Sequence, residues 1–178
     1  MNSAKGGDVM RTKRINVIGL FSLAIVLLAA VPGQNLKAQA PCLKDAWEAF
    51  NKKDYAGAIK SADQCIDQFE VPAERDETKL EKDNIPLPPT GAVGDADKQN
   101  IFKRGVLNDT GTAFFVKGRS AEYLYVATKN NKQKADYKAQ ALQAYAAACK
   151  YKYARTWDPQ GWFWSPCEAS SDRVQKLR

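Results

Sequence analysis

The chain has 178 residues, room for one ordinary domain rather than two. It holds 27 Lys and Arg, 20 Asp and Glu, and no histidine, which excludes Ser-His and Cys-His catalysis, the usual general base and histidine metal ligation. The net charge of +7 overstates how basic the body is: five cations (Lys5, Arg11, Lys13, Arg14, Lys37) and one anion (Asp8) fall in the first forty residues, leaving 22 against 19, a net of +3.

Those forty residues have the three parts of a secretory signal. Arg11, Lys13 and Arg14 form the cationic part, with Met10 before them as a second candidate start. Residues 17–31 are an uncharged apolar run of fifteen. That is shorter than the roughly 20 residues a bilayer span needs, so cleavage is expected rather than anchoring. Ala38-Gln39-Ala40 supplies the small-x-small pattern of a cleavage zone. Pro41 hinders a cut after Ala40 and leaves a cut after Ala38 open. The expectation is a signal peptide over 1–40, a single domain over 41–178, and a secreted or periplasmic location. Membrane contact is through the signal segment alone, before cleavage.

Along the mature chain, Leu43, Trp47 and Phe50 recur at helical spacing, and after Lys52-Lys53-Asp54 the stripe restarts as Tyr55, Ile59, Ala62, Ile66 and Phe69. Two helices in an antiparallel hairpin follow. Residues 71–94 are charged and then proline-rich (Pro86, Pro88, Pro89), and read as a linker or extended crossover. A short helix is predicted around 97–104, stopping at Gly105. Asn108-Asp109 reads as the start of a helix carrying Ala113, Val116, Ser120, Tyr123 and Ala127, and Asn108-Asp109-Thr110 is also a glycosylation sequon. After the polar stretch 129–134, an alanine-rich helix is predicted over 136–153. Trp157-Asp158-Pro159-Gln160-Gly161 reads as a turn. Ser165-Pro166-Cys167-Glu168 combines a serine cap, a first-turn proline and a capping-box glutamate, so a last helix is predicted to about Lys176.

All four cysteines, Cys42, Cys65, Cys149 and Cys167, lie beyond the leader, and an even count in an exported chain favours disulfides. Facing residues of an antiparallel hairpin are equidistant from its turn. The midpoint of Cys42 and Cys65, 53.5, falls in the Lys53-Asp54 break, and that of Cys149 and Cys167 falls on Asp158. The predicted pairs are therefore Cys42–Cys65 and Cys149–Cys167, each worth about 3 kcal/mol in the loop-entropy model.

Asp54-Tyr55-x-x-Ala58-Ile59 resembles the opening of the second helix of a tetratricopeptide repeat. Ala141-x-x-x-Tyr145-x-x-Ala148 resembles that helix's small–aromatic–small ladder, and Phe114-x-x-Lys117-Gly118 the aromatic and glycine of its first helix. Ala62 and Cys65 depart from the pattern, standing where an aromatic and an alanine are usual. The chain also resembles exported bacterial proteins with Leu-Asn-Asp and Trp-Asp-Pro-x-Gly-Trp-Phe-Trp stretches. The resemblance implies an all-α fold of antiparallel, tetratricopeptide-like helical hairpins with a C-terminal capping helix. It also implies a concave surface for a protein or peptide partner.

The sequence lacks G-x-S-x-G, Walker and Rossmann signatures, so no enzyme, cofactor or metal is expected. The candidate ligand or partner surface comprises Arg119, Tyr123, Lys150, Trp157, Trp162 and Trp164. An alternative is a cell-wall or glycan binder using the three tryptophans, or a glucanase-like glycosidase with Asp158 and Glu168 as its carboxylates. Acids outnumber bases nine to four over 54–83, and bases outnumber acids twelve to three over 98–155. That split gives either a dipolar surface or solvated helix faces. Export argues against nucleic acid as the partner of the basic stretch.

Overall fold

The stripe of Leu43, Trp47 and Phe50 becomes one face of α1 (Pro41–Asn51) in the computed structural model, which describes residues 39–178. Except for Gln39 and Ala40, the expected signal peptide lies outside the described residues. α1 ends with Lys53 in the left-handed region (φ 64°), where the Lys53 N–H returns to the Phe50 carbonyl and the Asp54 N–H to that of Ala49. This double bond satisfies the last carbonyls of the helix. Asp54 then caps α2, its carboxylate accepting the Gly57 N–H at 2.9 Å. The two helices pack against each other, and Cys42 and Cys65 are joined as the hairpin symmetry requires, their Cα atoms 5.4 Å apart.

The linker expected over 71–94 begins too early. α2 runs unbroken over Tyr55–Lys82, with Pro72 inside it. Pro72 lacks an N–H, but the inward stripe continues beyond it through Ala73, Glu77 and Leu80, and tertiary packing of that face outweighs the lost helical bond. The charged residues around them are its solvated side. The helix stops at Asn84, which takes the left-handed position (φ 50°) and repeats the double closing bond seen at Lys53.

The crossover is therefore shorter and leads into α3 (Asp95–Phe102). α4 starts at Gly105, not at Asn108-Asp109, and extends to Ala127. The supposed cap residues serve long-range contacts instead. Asn108 is buried, donating from Nδ2 to the Ile101 carbonyl at 2.7 Å and accepting the Arg155 N–H at 2.9 Å. That burial also removes the sequon asparagine from the surface of the folded domain.

α5 (Asn131–Ala148) begins earlier than expected because Asn130 caps it, accepting the Gln133 N–H at 3.1 Å. Beyond it, Thr156–Asp158 and Trp162–Trp164 form an antiparallel pair, β1 and β2, with Gly161 at φ 100° in the turn. Gly91 of the crossover extends the pairing, exchanging two backbone bonds with Phe163 (2.7 and 2.8 Å). The fold is thus mostly helical rather than all-α. The predicted capping signal holds: Ser165 accepts the Glu168 N–H at 3.3 Å and starts α6 (Pro166–Leu177). Thr156 sits opposite Trp164, so the hairpin is centred two residues beyond Asp158. Cys149 and Cys167 are thiols in the structure, lying against one another, with Cys149 Sγ 3.1 Å from the Cys167 carbonyl oxygen. Burial first, then the hydrogen bond with Cys149, pushes the Cys167 thiol up to about 12.

α4 is the centre of the domain, packing against α1, α2, α5 and α6. Its glycines set how closely its neighbours approach. A Cβ at Gly118 would stand 2.6 Å from the ring of Tyr145, which is wholly buried. Two of the three motifs that carry the repeat resemblance thus meet face to face. Gly118→Ala is expected to destabilise the domain by about 1–3 kcal/mol through overpacking, read from urea unfolding midpoints. Wild-type stability in that variant would mean that the Tyr145 ring can move aside.

Candidate functional site

The alternation of side chains along a strand decides what the tryptophans can do together. Trp157 pairs with Phe163, so these two share one face of the hairpin, and Trp162 and Trp164 project from the other. Trp164 packs edge-on against Phe115 at 4.9 Å and is half-buried. Trp157 and Trp162 are 45% and 43% exposed. The three indoles are therefore neither a common core nor one continuous platform. Trp157 lies at a cavity of ≈ 150 Å³ between the starts of α1 and α4, α3 and the hairpin, also lined by Leu43, Phe102, Asp109, Thr112 and Phe163.

Arg119 and Tyr123, one helical turn apart on α4, do come together. The guanidinium lies 4.9 Å from the Tyr123 ring, which stacks on Tyr55 at 4.7 Å and meets Phe50 at 5.6 Å. Tyr123 is 39% exposed, so the patch is open to a partner. Behind it, the buried Glu122 carboxylate accepts hydrogen bonds from Tyr145 Oη (2.6 Å), Arg119 Nη1 (2.9 Å) and the Arg173 guanidinium. Burial works to raise the Glu122 carboxyl, but the bonds from Arg173 and Tyr145 and the charge of Arg119 hold it below the usual carboxylate range. One buried anion thereby fixes both arginines and ties α4 to α5 and α6.

Lys150 stands apart, exposed at a groove between α2, α4 and α5 that also holds Glu70, Phe114 and Lys117. The acidic and basic stretches partly answer each other within the chain: Lys117 pairs with Asp63 at 2.6 Å and Lys152 with Glu81 at 3.0 Å. Asp158 accepts the Gln160 N–H at 2.8 Å within the hairpin turn, and Glu168 occupies the capped first turn of α6. Among the described residues no group of three or more Cys, Asp or Glu is placed to hold a metal ion, and no helix is long and apolar enough to cross a membrane.

Neither a protein-family model, nor a curated protein, nor a solved structure matches the chain.

The side chains that organise these surfaces are ones that sequence reading assigned elsewhere or passed over. Glu77 on α2 is buried and accepts the N–H groups of Lys152 (2.7 Å) and Tyr153 (3.3 Å). Arg155 is buried and caps the carbonyls of Lys152, Ala154, Pro88 and Pro89. Asp109 accepts the Ala40 N–H at 2.9 Å. A charged residue within an otherwise apolar helical stripe marks Glu77 in the sequence. Asp109 and Arg155 carry no comparable local signal.

Proposed function

We propose that the mature chain is an exported, non-catalytic, tetratricopeptide-like scaffold that binds a protein or peptide partner. The observation that carries this reading is the patch of exposed Tyr123 and half-buried Phe50, Tyr55 and Arg119, which gathers side chains from α1, α2 and α4. Tyrosine and arginine, held in place before the partner arrives, are the residue types that dominate binding energy at protein interfaces. The Glu122 network supplies that preorganisation by fixing Arg119 from behind. The Gly118–Tyr145 contact supports the repeat-like pairing of α4 with α5. The Cys42–Cys65 bond supports a secreted or periplasmic location, where such bonds persist.

A second reading, envelope glycan binding, is favoured by the half-exposed Trp157 beside its cavity. Affinity capture from the native host envelope, with a glycan array on the same sample, separates the two. A protein partner whose retention falls about tenfold or more with Tyr123→Ala, while Trp157→Ala leaves it unchanged, is the expected result. Saturable polysaccharide binding that is abolished by Trp157→Ala in a folded domain would replace the scaffold with the glycan binder.

A further inference from the structure

At the start of α1 a cavity carboxylate and an expected processing site lie side by side. Ala40 is buried and caps α1, its carbonyl accepting the N–H groups of Leu43 and Lys44, both at 3.0 Å, while its own N–H donates to Asp109 Oδ2. Gln39, the residue before it, is exposed and lines the same cavity as Asp109. Among the described residues the Ala40 N–H is the one hydrogen-bond partner of Asp109, and no cationic side chain forms a salt bridge with it. Arg155 also borders the cavity, but its guanidinium is taken up by backbone carbonyls.

We propose that the mature chain begins at Gln39 and that its new α-ammonium group pairs with Asp109 in this cavity. The inference rests on the export reading above. A signal peptidase hydrolyses the Ala38–Gln39 bond with one water, leaving a carboxylate on Ala38 and an ammonium on Gln39. Three backbone bonds of about 1.3–1.5 Å separate the Gln39 and Ala40 nitrogens, so the ammonium stands within about 4 Å of the group already bonded to Asp109. That places it no more than about 7 Å from the carboxylate, and since Gln39 lines the same cavity a small rotation closes the pair to the range at which an opposite charge holds a carboxylate ionised. The ammonium supplies what the site lacks: burial pushes the Asp109 carboxyl up to about 6, and the Ala40 N–H offsets only part of that. A cut after Ala40 dismantles the contacts that Ala40 makes. It removes a buried methyl, leaves the N–H groups of Leu43 and Lys44 without their acceptor, and takes the partner of Asp109 away. Pro41 in the position after that cut disfavours it independently.

The test uses the full chain, exported with its leader from a bacterial host, and reads the product by intact mass. A mature chain starting at Gln39 is the expected result. A start at Pro41 overturns this inference and leaves export standing, whereas a retained leader removes the export reading and the inference with it. The ion pair is read separately. An N-terminal glutamine cyclises when its α-amine attacks the side-chain carbonyl carbon and expels ammonia, a step that requires the neutral amine. Asp109→Asn, which keeps an acceptor for the Ala40 N–H, is expected to lose ammonia faster than wild type, by about tenfold for each unit by which loss of the carboxylate lowers the amine pKa. Equal rates overturn the pairing. Should the variant fail to fold, carbon-detected titration of wild type decides: an Asp109 carboxyl titrating below the ordinary 3.8 supports the pair, and one titrating near 6 refutes it.

Discussion

Arg155→Met is expected to destabilise the domain by about 3 kcal/mol. Arg155 is 4% exposed, and among the described residues no carboxylate forms a salt bridge with it. Its Nη1 donates to the carbonyls of Lys152 (2.8 Å) and Ala154 (2.7 Å), its Nε to those of Pro88 (2.9 Å) and Pro89 (3.3 Å), and its Nη2 to Pro88 again. Proline offers a carbonyl but no N–H, so the crossover cannot close these acceptors by itself. Each carbonyl left buried and unpaired costs about 1 kcal/mol or more, and relief of a desolvated cation returns part of the total. Burial lowers the Arg155 pKa, which is the sign of that desolvation. Lysine is not a substitute: a single ammonium cannot fork towards the crossover on one side and the turn after α5 on the other. Urea unfolding of Arg155→Met and Arg155→Lys measures the loss, with hydrogen exchange across residues 85–91 reporting whether the crossover detaches first. A methionine variant within about 0.5 kcal/mol of wild type would show that water satisfies those carbonyls equally well.

Removing the Cys42–Cys65 bond, as Cys42→Ser with Cys65→Ala, is expected to cost about 3 kcal/mol, because the bond closes a loop of 23-residue separation. For a domain whose net stability lies in the range of about 5–15 kcal/mol, that is a large share. Cys65 is wholly buried, so the native bond is shielded from thiols in solution. Cys149 and Cys167 are half-buried and should behave differently. With its thiol pushed up to about 12, Cys167 is a weak nucleophile at neutral pH. Non-reducing peptide mapping of the exported protein is expected to show Cys42 linked to Cys65, with Cys149 and Cys167 recovered as unlinked thiols. A Cys42–Cys149 or Cys65–Cys167 peptide would contradict both the hairpin register and the fold.

The candidate surface was partly readable in advance. Arg119 and Tyr123 are four residues apart on a helix, a spacing that places them on one face whatever surrounds them. That Tyr55 and Phe50 complete the patch depends on how the first hairpin docks on α4, which no local spacing encodes. The tryptophans show the opposite error. Their closeness in sequence suggested one cluster, but in a strand neighbours point to opposite faces, and the register that separates Trp157 from Trp162 and Trp164 appears only once the strands are paired.

What the sequence by itself determined is what neighbours within a turn or two can dictate: the stripe and break that make the α1–α2 hairpin, the pairing of Cys42 with Cys65 across it, and the Ser165 cap that starts α6. Each rests on helical period, turn chemistry or a cap, all read over a few residues. Only the tertiary structure decided that α2 continues past Pro72, because the reason is the packing of Ala73, Glu77 and Leu80 rather than any local preference. The same holds for the polar residues that fasten the fold. The partners of Asp109, Glu77, Asn108 and Arg155 lie 69, 75, 47 and 67 residues away in the chain, respectively. A buried charge or amide must find a hydrogen bond somewhere, and which distant backbone supplies it is settled only when the helices have packed.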